Sequence, residues 1–300
     1  MKGNIQQKKS IFDHKYFFAG VGCVAFLILL LLFYFINFTS SLSHLDIRIL
    51  SGAPSGNYYN TVVRAKEIAG KKDGRIANIA TNGSIDNVAR LHESDERGLF
   101  ALVQNGMPWG EGLELIAHLK SPETVFFLGP DADRIDSLAD LRNLRIGIGP
   151  KGSGTAHLGK KIFDTPQMKA LNVVLSYHTS DEQLALLKER KLDLGLFAIS
   201  EKSTFIENAL CREGMQIAGI RQCESIALRL PYLWTEFIRE GLYDPVRNLP
   251  PADKKVLKVD TLRVTHGGAR RSQVMGLLSV FTGIVPNLVN YNKTVSKHHG

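Results

Sequence analysis

The chain has 300 residues, 44% of them hydrophobic and 22% charged, which is enough for two domains with hydrophobic cores and excludes disorder along the whole length. Its 37 basic and 29 acidic side chains give a formal net charge of +8. That excess is compatible with nucleic acid, an anionic membrane surface or an acidic ligand as partner, and it selects none of them.

A long apolar segment lies near the N-terminus. Residues 16–38 read YFFAGVGCVAFLILLLLFYFINF, without Asp, Glu, Lys or Arg, and as a helix they would span about 35 Å. Four lysines and one aspartate precede this segment, so residues 1–15 are expected in the cytoplasm and the remainder outside it. A buried helix and a cleaved signal peptide are the alternatives, but the apolar stretch is longer than a signal core and no Ala-x-Ala cleavage site follows. We therefore predict a single-pass anchor in a bacterial inner membrane, with the main domain in the periplasm or outside the cell.

Three cysteines fit an exported protein without a disulfide framework. Cys23 lies in the apolar segment. Cys211 and Cys223 could pair, but a predicted strand at 215–220 separates them and favours two unpaired thiols. Because no Cys/His cluster has zinc spacing, no metal site is predicted.

After a polar tether at 39–44, strands alternate with amphipathic helices. Predicted strands lie at 45–52, 75–80, 98–103, 113–119, 124–128, 144–148, 172–177 and 192–197. Predicted helices lie at 57–69, 84–92, 156–163 and 181–189. This alternation predicts βαβ units in mainly parallel sheets, whose ligands bind at the carboxyl ends of the strands.

Four turns that follow predicted strands carry Gly, Ser, Thr or Asn, residues that leave backbone N–H groups free to bind an anion. They read GAPSGNY at 52–58, TNGS at 81–84, QNG at 104–106 and GIGPKGSGT at 147–155. Each of the first three alone is also typical of an ordinary turn, and their repetition after three successive strands is the stronger signal. The fourth turn is the most distinctive. The last contains G-x-G-x-x-G, but its first glycines belong to the strand and no acidic residue ends a second strand about 20 residues on, which argues against a dinucleotide site.

The sequence supports a catalytic or nucleic-acid-binding function less well than ligand binding at these turns. Ser153 and His157 could form a nucleophile and base, but no G-x-S-x-G elbow surrounds the serine. The acidic run at 131–136 lacks the glycine and glutamate of an EF-hand. The basic pairs are dispersed without interleaved aromatic residues, so no nucleic-acid partner is predicted. We predict a protein that is not an enzyme and has no cofactor.

Residues from about 45 to 258 resemble the TAXI branch of TRAP-transporter solute-binding proteins, an NMT1-like group within the type II periplasmic binding proteins. The resemblance is carried by SGAPSGNYYNTV, NGSIDNVARL, FALVQN, SLADLRNLRIGIGPKGSGT and GLYDPVRNLPPAD. It implies a two-lobed α/β fold, here preceded by one N-terminal transmembrane helix as in a membrane-anchored subgroup. The likeness fades after Lys258.

The resemblance also implies a division of the chain and a set of ligand contacts. The domains would be 1–15 (cytoplasmic), 16–38 (anchor), 44–127 (first lobe), 128–222 (second lobe), 223–258 (return to the first lobe) and 259–300 (divergent tail). The cleft would be lined by Ser55, Gly56, Tyr58, Asn82, Ser84, Gln104, Ser153, Gly154, Thr155, Phe197 and Ala198. For Tyr58 and Phe197, core packing is the alternative.

The expected function is capture of a small organic anion, an amino or dicarboxylic acid, for TRAP-type uptake through transporter membrane subunits. Helix N-termini and backbone amides would hold the ligand's carboxylate as the lobes close. A ligand-sensing or interaction module of a membrane signalling complex is the alternative, and an enzyme is less favoured.

Overall fold

The computed structural model describes the backbone of residues 9–54, 56–119 and 121–284, and the side chains of 17–33, 41–54, 56–119 and 121–282. Two α/β lobes follow one N-terminal helix. Elements are numbered along the chain.

The first lobe is built on a five-stranded sheet. Its strands are β1 (Asp46–Leu50), β2 (Arg75–Ile79), β3 (Leu99–Gln104), β4 (Leu113–His118) and β12 (Thr261–His266), in the spatial order β2-β1-β3-β12-β4. Helices α2 (Asn57–Gly70) and α9 (Arg271–Ile284) cover one face of this sheet and α3 (Ser84–His92) covers the other. Because both faces are covered, β3 is buried along its whole length.

The second lobe is built on a seven-stranded sheet. Its strands are β5 (Glu123–Gly129), β6 (Arg145–Ile148), β7 (Val174–Ser176), β8 (Leu194–Ile199), β9 (Gln216–Ile217), β10 (Leu233–Ile238) and β11 (Lys254–Val259). Their spatial order is β10-β11-β5-β8-β6-β7, with β9 paired to β5. The helices of this lobe are α4 (Gly154–Phe163), α5 (Pro166–Lys169), α6 (Ser180–Lys188), α7 (Thr204–Cys211) and α8 (Cys223–Arg229).

The two sheets are mixed, where mainly parallel sheets were expected. Among the described residues, four strand pairings are parallel and six are antiparallel. The antiparallel pairings all involve β5, β11 or β12, the strands that directly follow or precede the crossings between the lobes. A strand that arrives from the other lobe does not follow a crossover helix of its own sheet, so it is not constrained to run parallel.

The chain crosses between the lobes twice, once between β4 and β5 and once at Asp260 between β11 and β12. This corrects the predicted division of the chain. Residues 223–258 do not return to the first lobe, because β10 and β11 pair with β5 in the second sheet. Part of the predicted tail, 259–300, belongs to the first lobe, because β12 lies between β3 and β4 and α9 packs against α2. Residues 285–300 of that tail lie outside the described residues.

Helix α1 (Lys9–Ser40) covers the predicted anchor at 16–38. Within the described residues, no helix combines the length and the apolar character that a membrane crossing requires. The prediction of an anchor is therefore not supported. Residues 1–8 of the predicted cytoplasmic segment lie outside the described residues.

The cysteines are separate. Cys211 contacts the carbonyl oxygen of Tyr243, and the buried Cys223 contacts that of Lys255, so each thiol has a different neighbour and all three cysteines are free. This arrangement agrees with the expectation of unpaired thiols.

Candidate functional site

The turn after β1 brings one aromatic hydroxyl to the region between the lobes. Gly56 directly precedes α2 at its N-cap position, and its backbone N–H donates to the carbonyl oxygen of Ala53 over 2.7 Å. In the first turn of the helix, the Tyr58 hydroxyl donates to Oε2 of Glu123 over 3.2 Å and lies 3.4 Å from Oγ1 of Thr261. Ser55 lies outside the described residues.

The turns after β2 and β3 meet each other. Ser84 begins α3, is only 1% exposed, and its Oγ accepts from the backbone N–H of Gln104 over 3.0 Å. The Gln104 side chain is also 1% exposed, and among the described residues its Nε2 has no hydrogen-bond partner. Asn82 is exposed instead, and both its backbone N–H and its side-chain amide donate to Asp86.

The glycine-rich turn of the second lobe presents the N-terminus of α4. Ser153 caps this helix, since its Oγ accepts from the backbone N–H of Ala156 over 3.1 Å. Gly154 is buried and Thr155 is half-buried in the first turn. Gly152 has a φ of +85°, a left-handed conformation that glycine adopts without strain.

These turns from the two lobes touch directly. The backbone N–H of Ile85 donates to the carbonyl oxygen of Gly152 over 3.0 Å. A Cβ added at Gly154 would lie 2.9 Å from both Oγ of Ser84 and Cβ of Gln104, closer still to the Gln104 amide oxygen. The predicted site residues Ser84, Gln104 and Gly154 therefore lie together, and the Tyr58 hydroxyl lies beside Ser84. We call these four residues with Glu123 and Thr261 the cleft cluster.

Glu123 and Thr261 were not identified from the sequence. Each is the first residue of a strand that follows a crossing between the lobes, and both are buried. The sequence placed Glu123 one residue before a predicted strand, where acidic residues are usually solvated. The crossing that buries Glu123 leaves no local pattern in the sequence, so no signal was available to find it.

Burial dominates the electrostatics of the cleft cluster. It raises the pKa of Glu123 to about 8, while hydrogen bonds from Tyr58 and Asn57 oppose the shift. Burial, and then the neighbouring Glu123, raise the pKa of Tyr58 well above its usual value. In the protein without ligand, the Glu123 carboxyl is therefore largely protonated at neutral pH.

Phe197 and Ala198 are not brought into the cluster. Phe197 is 3% exposed and packs with its ring 5.3 Å from that of Phe205, in the core between the second sheet and α7. Ala198 points to the opposite face of the sheet and packs against the other core of that lobe. Phe197 therefore packs in the core, which was the alternative to a position in the cleft.

The structure brings no catalytic pair together at Ser153 and His157. The serine hydroxyl accepts a hydrogen bond in the helix cap, and Nε2 of His157 is buried with no hydrogen-bond partner in the part of the chain that the structure describes. Burial, then Lys161 and Lys160, lower the pKa of His157. In the described part of the chain, no group of His, Cys, Asp and Glu side chains could hold a metal ion.

Comparisons with known proteins agree with this architecture. The model of the NMT1-like family matches residues 49–251. No curated protein matches the chain.

Among solved structures, the chain is similar to one described as a periplasmic transporter, with 10% identity, a TM-score of 0.52, and coverage of 79% of this chain and 82% of that one. It is similar to R. palustris Rpa4515 with adipate, at 13% identity, a TM-score of 0.50, and coverage of 79% and 82%. It is also similar to the CcmR regulatory domain of Synechocystis PCC6803 in complex with 2-PG, at 10% identity, a TM-score of 0.50, and coverage of 81% and 98%. These likenesses show a common fold, and the family match over two thirds of the sequence shows that the chain belongs to the NMT1-like family.

Proposed function

We propose that this protein is an extracytoplasmic solute-binding protein that captures a small organic acid between its two lobes. The observation that carries the proposal is the position of Gln104. Its side chain lies where the first turn of α4 meets the first lobe, with the amide oxygen towards Gly154, and its amide nitrogen is buried without a partner among the described residues. A buried donor that lacks a partner is costly, and a ligand oxygen would satisfy it.

The ligand's carboxylate would lie between that amide and the N-terminus of α4. Helix N-termini favour anions because their first backbone N–H groups have no partner within the helix. In α4 the Ser153 hydroxyl already accepts from Ala156, so the N–H groups of Gly154 and Thr155 are the ones that would turn to a ligand. Opening about the crossings near Glu123 and Asp260 would admit the ligand, and closure would exclude water from it.

The likenesses in fold support the size and the chemistry of such a ligand. The R. palustris structure contains adipate, and the Synechocystis domain contains 2-PG, both small molecules. TRAP-type uptake is a further part of the proposal, and it rests on the resemblance of the turn sequences to the TAXI branch. Binding is favoured over catalysis because Ser153 is engaged in a helix cap.

Thermal denaturation of the full chain with a panel of small mono- and dicarboxylic acids tests the proposal. At least one acid is expected to raise the Tm, by an amount that grows with ligand concentration. Gln104→Leu should abolish that rise while the variant still unfolds cooperatively. Failure of every acid to stabilise the folded protein would contradict the proposal.

A sensing module is the second candidate, favoured by the similarity to a regulatory domain over 98% of that domain's chain. Both functions need the same cleft and differ in the partner. Cross-linking in membranes with ligand present separates them: capture of a transporter membrane subunit supports uptake, and capture of a signalling protein supports sensing.

A further inference from the structure

Glu123 has an unusual position for a carboxyl group. It begins β5 directly after the first crossing, and it pairs in register with Val259, the residue before the second crossing at Asp260. Its exposure is 4%. The carboxyl is thus enclosed at the junction about which the two lobes would move.

No cation compensates this carboxyl. In the described ranges its Oε2 accepts from the Tyr58 hydroxyl, and none of the ion pairs includes it. The basic groups on neighbouring strands have other neighbours: Lys258 binds Glu201 over 2.6 Å, and Nδ1 of His118 lies 3.1 Å from Asp260. Arg263 is buried on β12, where its guanidinium donates to the carbonyl oxygen of His118 and lies over the ring of Phe281, and it is not among the groups that act on Glu123. Ionising a buried carboxyl without a partner costs several kcal/mol, so the group stays protonated until a cation reaches it and compensates the charge.

The cleft cluster therefore has two chemically different parts. Around Gln104 and the first turn of α4 it offers hydrogen-bond donors, which suit a carboxylate. At Glu123 it offers an acceptor that can carry a negative charge. The Tyr58 hydroxyl links the parts, since Glu123, Thr261 and Ser84 all surround it. A ligand with one anionic and one cationic group matches both parts.

We propose that Glu123 binds the ammonium group of the ligand, and that the cleft thereby selects amino acids over acids without an amino group. This assignment rests on the proposed function, because it concerns the same cleft. The charge pairing stabilises the complex in a site that excludes water, where a charged hydrogen bond is stronger than at the surface.

The rival arrangement is a ligand carboxylate that shares a proton with Glu123. The two arrangements differ in what happens to the proton on the Glu123 carboxyl when the ligand binds. Burial raises the pKa of Glu123 to about 8, so at pH 7 an ammonium group would expel the proton from the carboxyl. A second carboxylate would require the proton to stay, and it would bind more weakly as the pH rises.

Isothermal titration of the full chain with matched acids provides the test. The probes are glutarate against L-glutamate and adipate against L-2-aminoadipate, which differ within each pair by one amino group. Titration at pH 7 in two buffers with different ionisation enthalpies gives the protons released. We expect the amino member of at least one pair to bind about tenfold tighter or more, with release of up to about one proton.

Glu123→Gln should remove both the preference and the proton release, with Glu207→Gln, at an exposed position on α7, as the matched control. Equal or tighter binding of the acid without the amino group would overturn the role of Glu123 and leave the proposed function standing. Unchanged binding of the amino acid by a folded Glu123→Gln variant would do the same. If no acid of either pair binds the folded wild-type chain, both proposals fail.

Discussion

Ile85 in the first lobe donates its backbone N–H to the carbonyl oxygen of Gly152 in the second, over 3.0 Å. Ile85 follows Ser84, and Gly152 precedes the cap residue Ser153, so this bond joins the two turns that flank the cleft cluster. The lobes are therefore in contact in the structure. A ligand reaches Gln104 only if this contact opens. A substitution at the contact should therefore change how the lobes close.

Gly154→Ala should hold the lobes apart. Its Cβ would press on Ser84 and Gln104 in the closed form, at a cost of about 1–3 kcal/mol, while a helix accepts alanine more readily than glycine. We expect a larger radius of gyration by small-angle X-ray scattering and weaker ligand binding. Gly70→Ala is the control, since nothing lies within 4 Å of a Cβ there. Identical scattering and binding in both variants would contradict close contact at Gly154.

The contribution of Glu123 to the stability of the protein should fall as the pH rises from about 5 to 8. The Glu123 carboxyl has a pKa near 4.5 when unfolded and about 8 when folded, so between these values the unfolded chain loses a proton that the folded chain keeps. The stabilising contribution is complete below the lower value, and it is lost at up to about 1.4 kcal/mol per pH unit towards the higher one. Urea denaturation across this range should show the slope, and Glu123→Gln should flatten it. An equal slope in the variant would argue against this assignment.

Tyr58→Phe should move the same transition to higher pH. The Tyr58 hydroxyl donates to the Glu123 carboxyl and so favours its ionised form. Without it the pKa of Glu123 rises further, and above pH 8 the variant loses about 1–3 kcal/mol of stability. The denaturation series that serves Glu123→Gln measures this midpoint. A midpoint that stays in place, or moves down, would show that the hydroxyl does not act on Glu123.

Substitutions at Phe197 should affect folding and not ligand binding. The ring is buried against Phe205, so Phe197→Ala should cost about 3–5 kcal/mol in the free energy of unfolding and Phe197→Leu appreciably less. The leucine variant is expected to bind ligand with wild-type affinity in the titrations. A large loss of affinity in a stably folded leucine variant would return Phe197 to the cleft.

The parts of the cleft that could be predicted from the sequence depend on local chemistry. Ser84 and Gly154 lie in turns whose Gly, Ser and Asn residues predict the start of a helix after a strand. This prediction does not depend on the remainder of the chain. Glu123 and Thr261 acquire their position from the crossings between the lobes, which no local pattern indicates. Their pairing partners lie far away in the chain, so their burial depends on the assembled sheets.

The orientation of β8 and the position of β12 could not be predicted from the sequence either, because both depend on how the sheets assemble. β8 is buried from Leu194 to Phe197, so alternation of polar and apolar residues could not show which side faces the cleft. Strand β12 has an apolar and polar pattern that is compatible with an edge of either lobe, and only its pairing with β3 and β4 places it inside the first sheet.

The central claim is that a small acid binds where Gln104 meets the N-terminus of α4. Mass spectrometry of the molecules released from the purified, folded chain tests it most directly, with Gln104→Leu prepared in parallel. We predict that the wild-type chain releases a small carboxylic acid, close to one per chain, and that the variant releases none. A folded wild-type protein that carries no acid and takes up none on dialysis, or a variant that retains as much as the wild type, would contradict the claim.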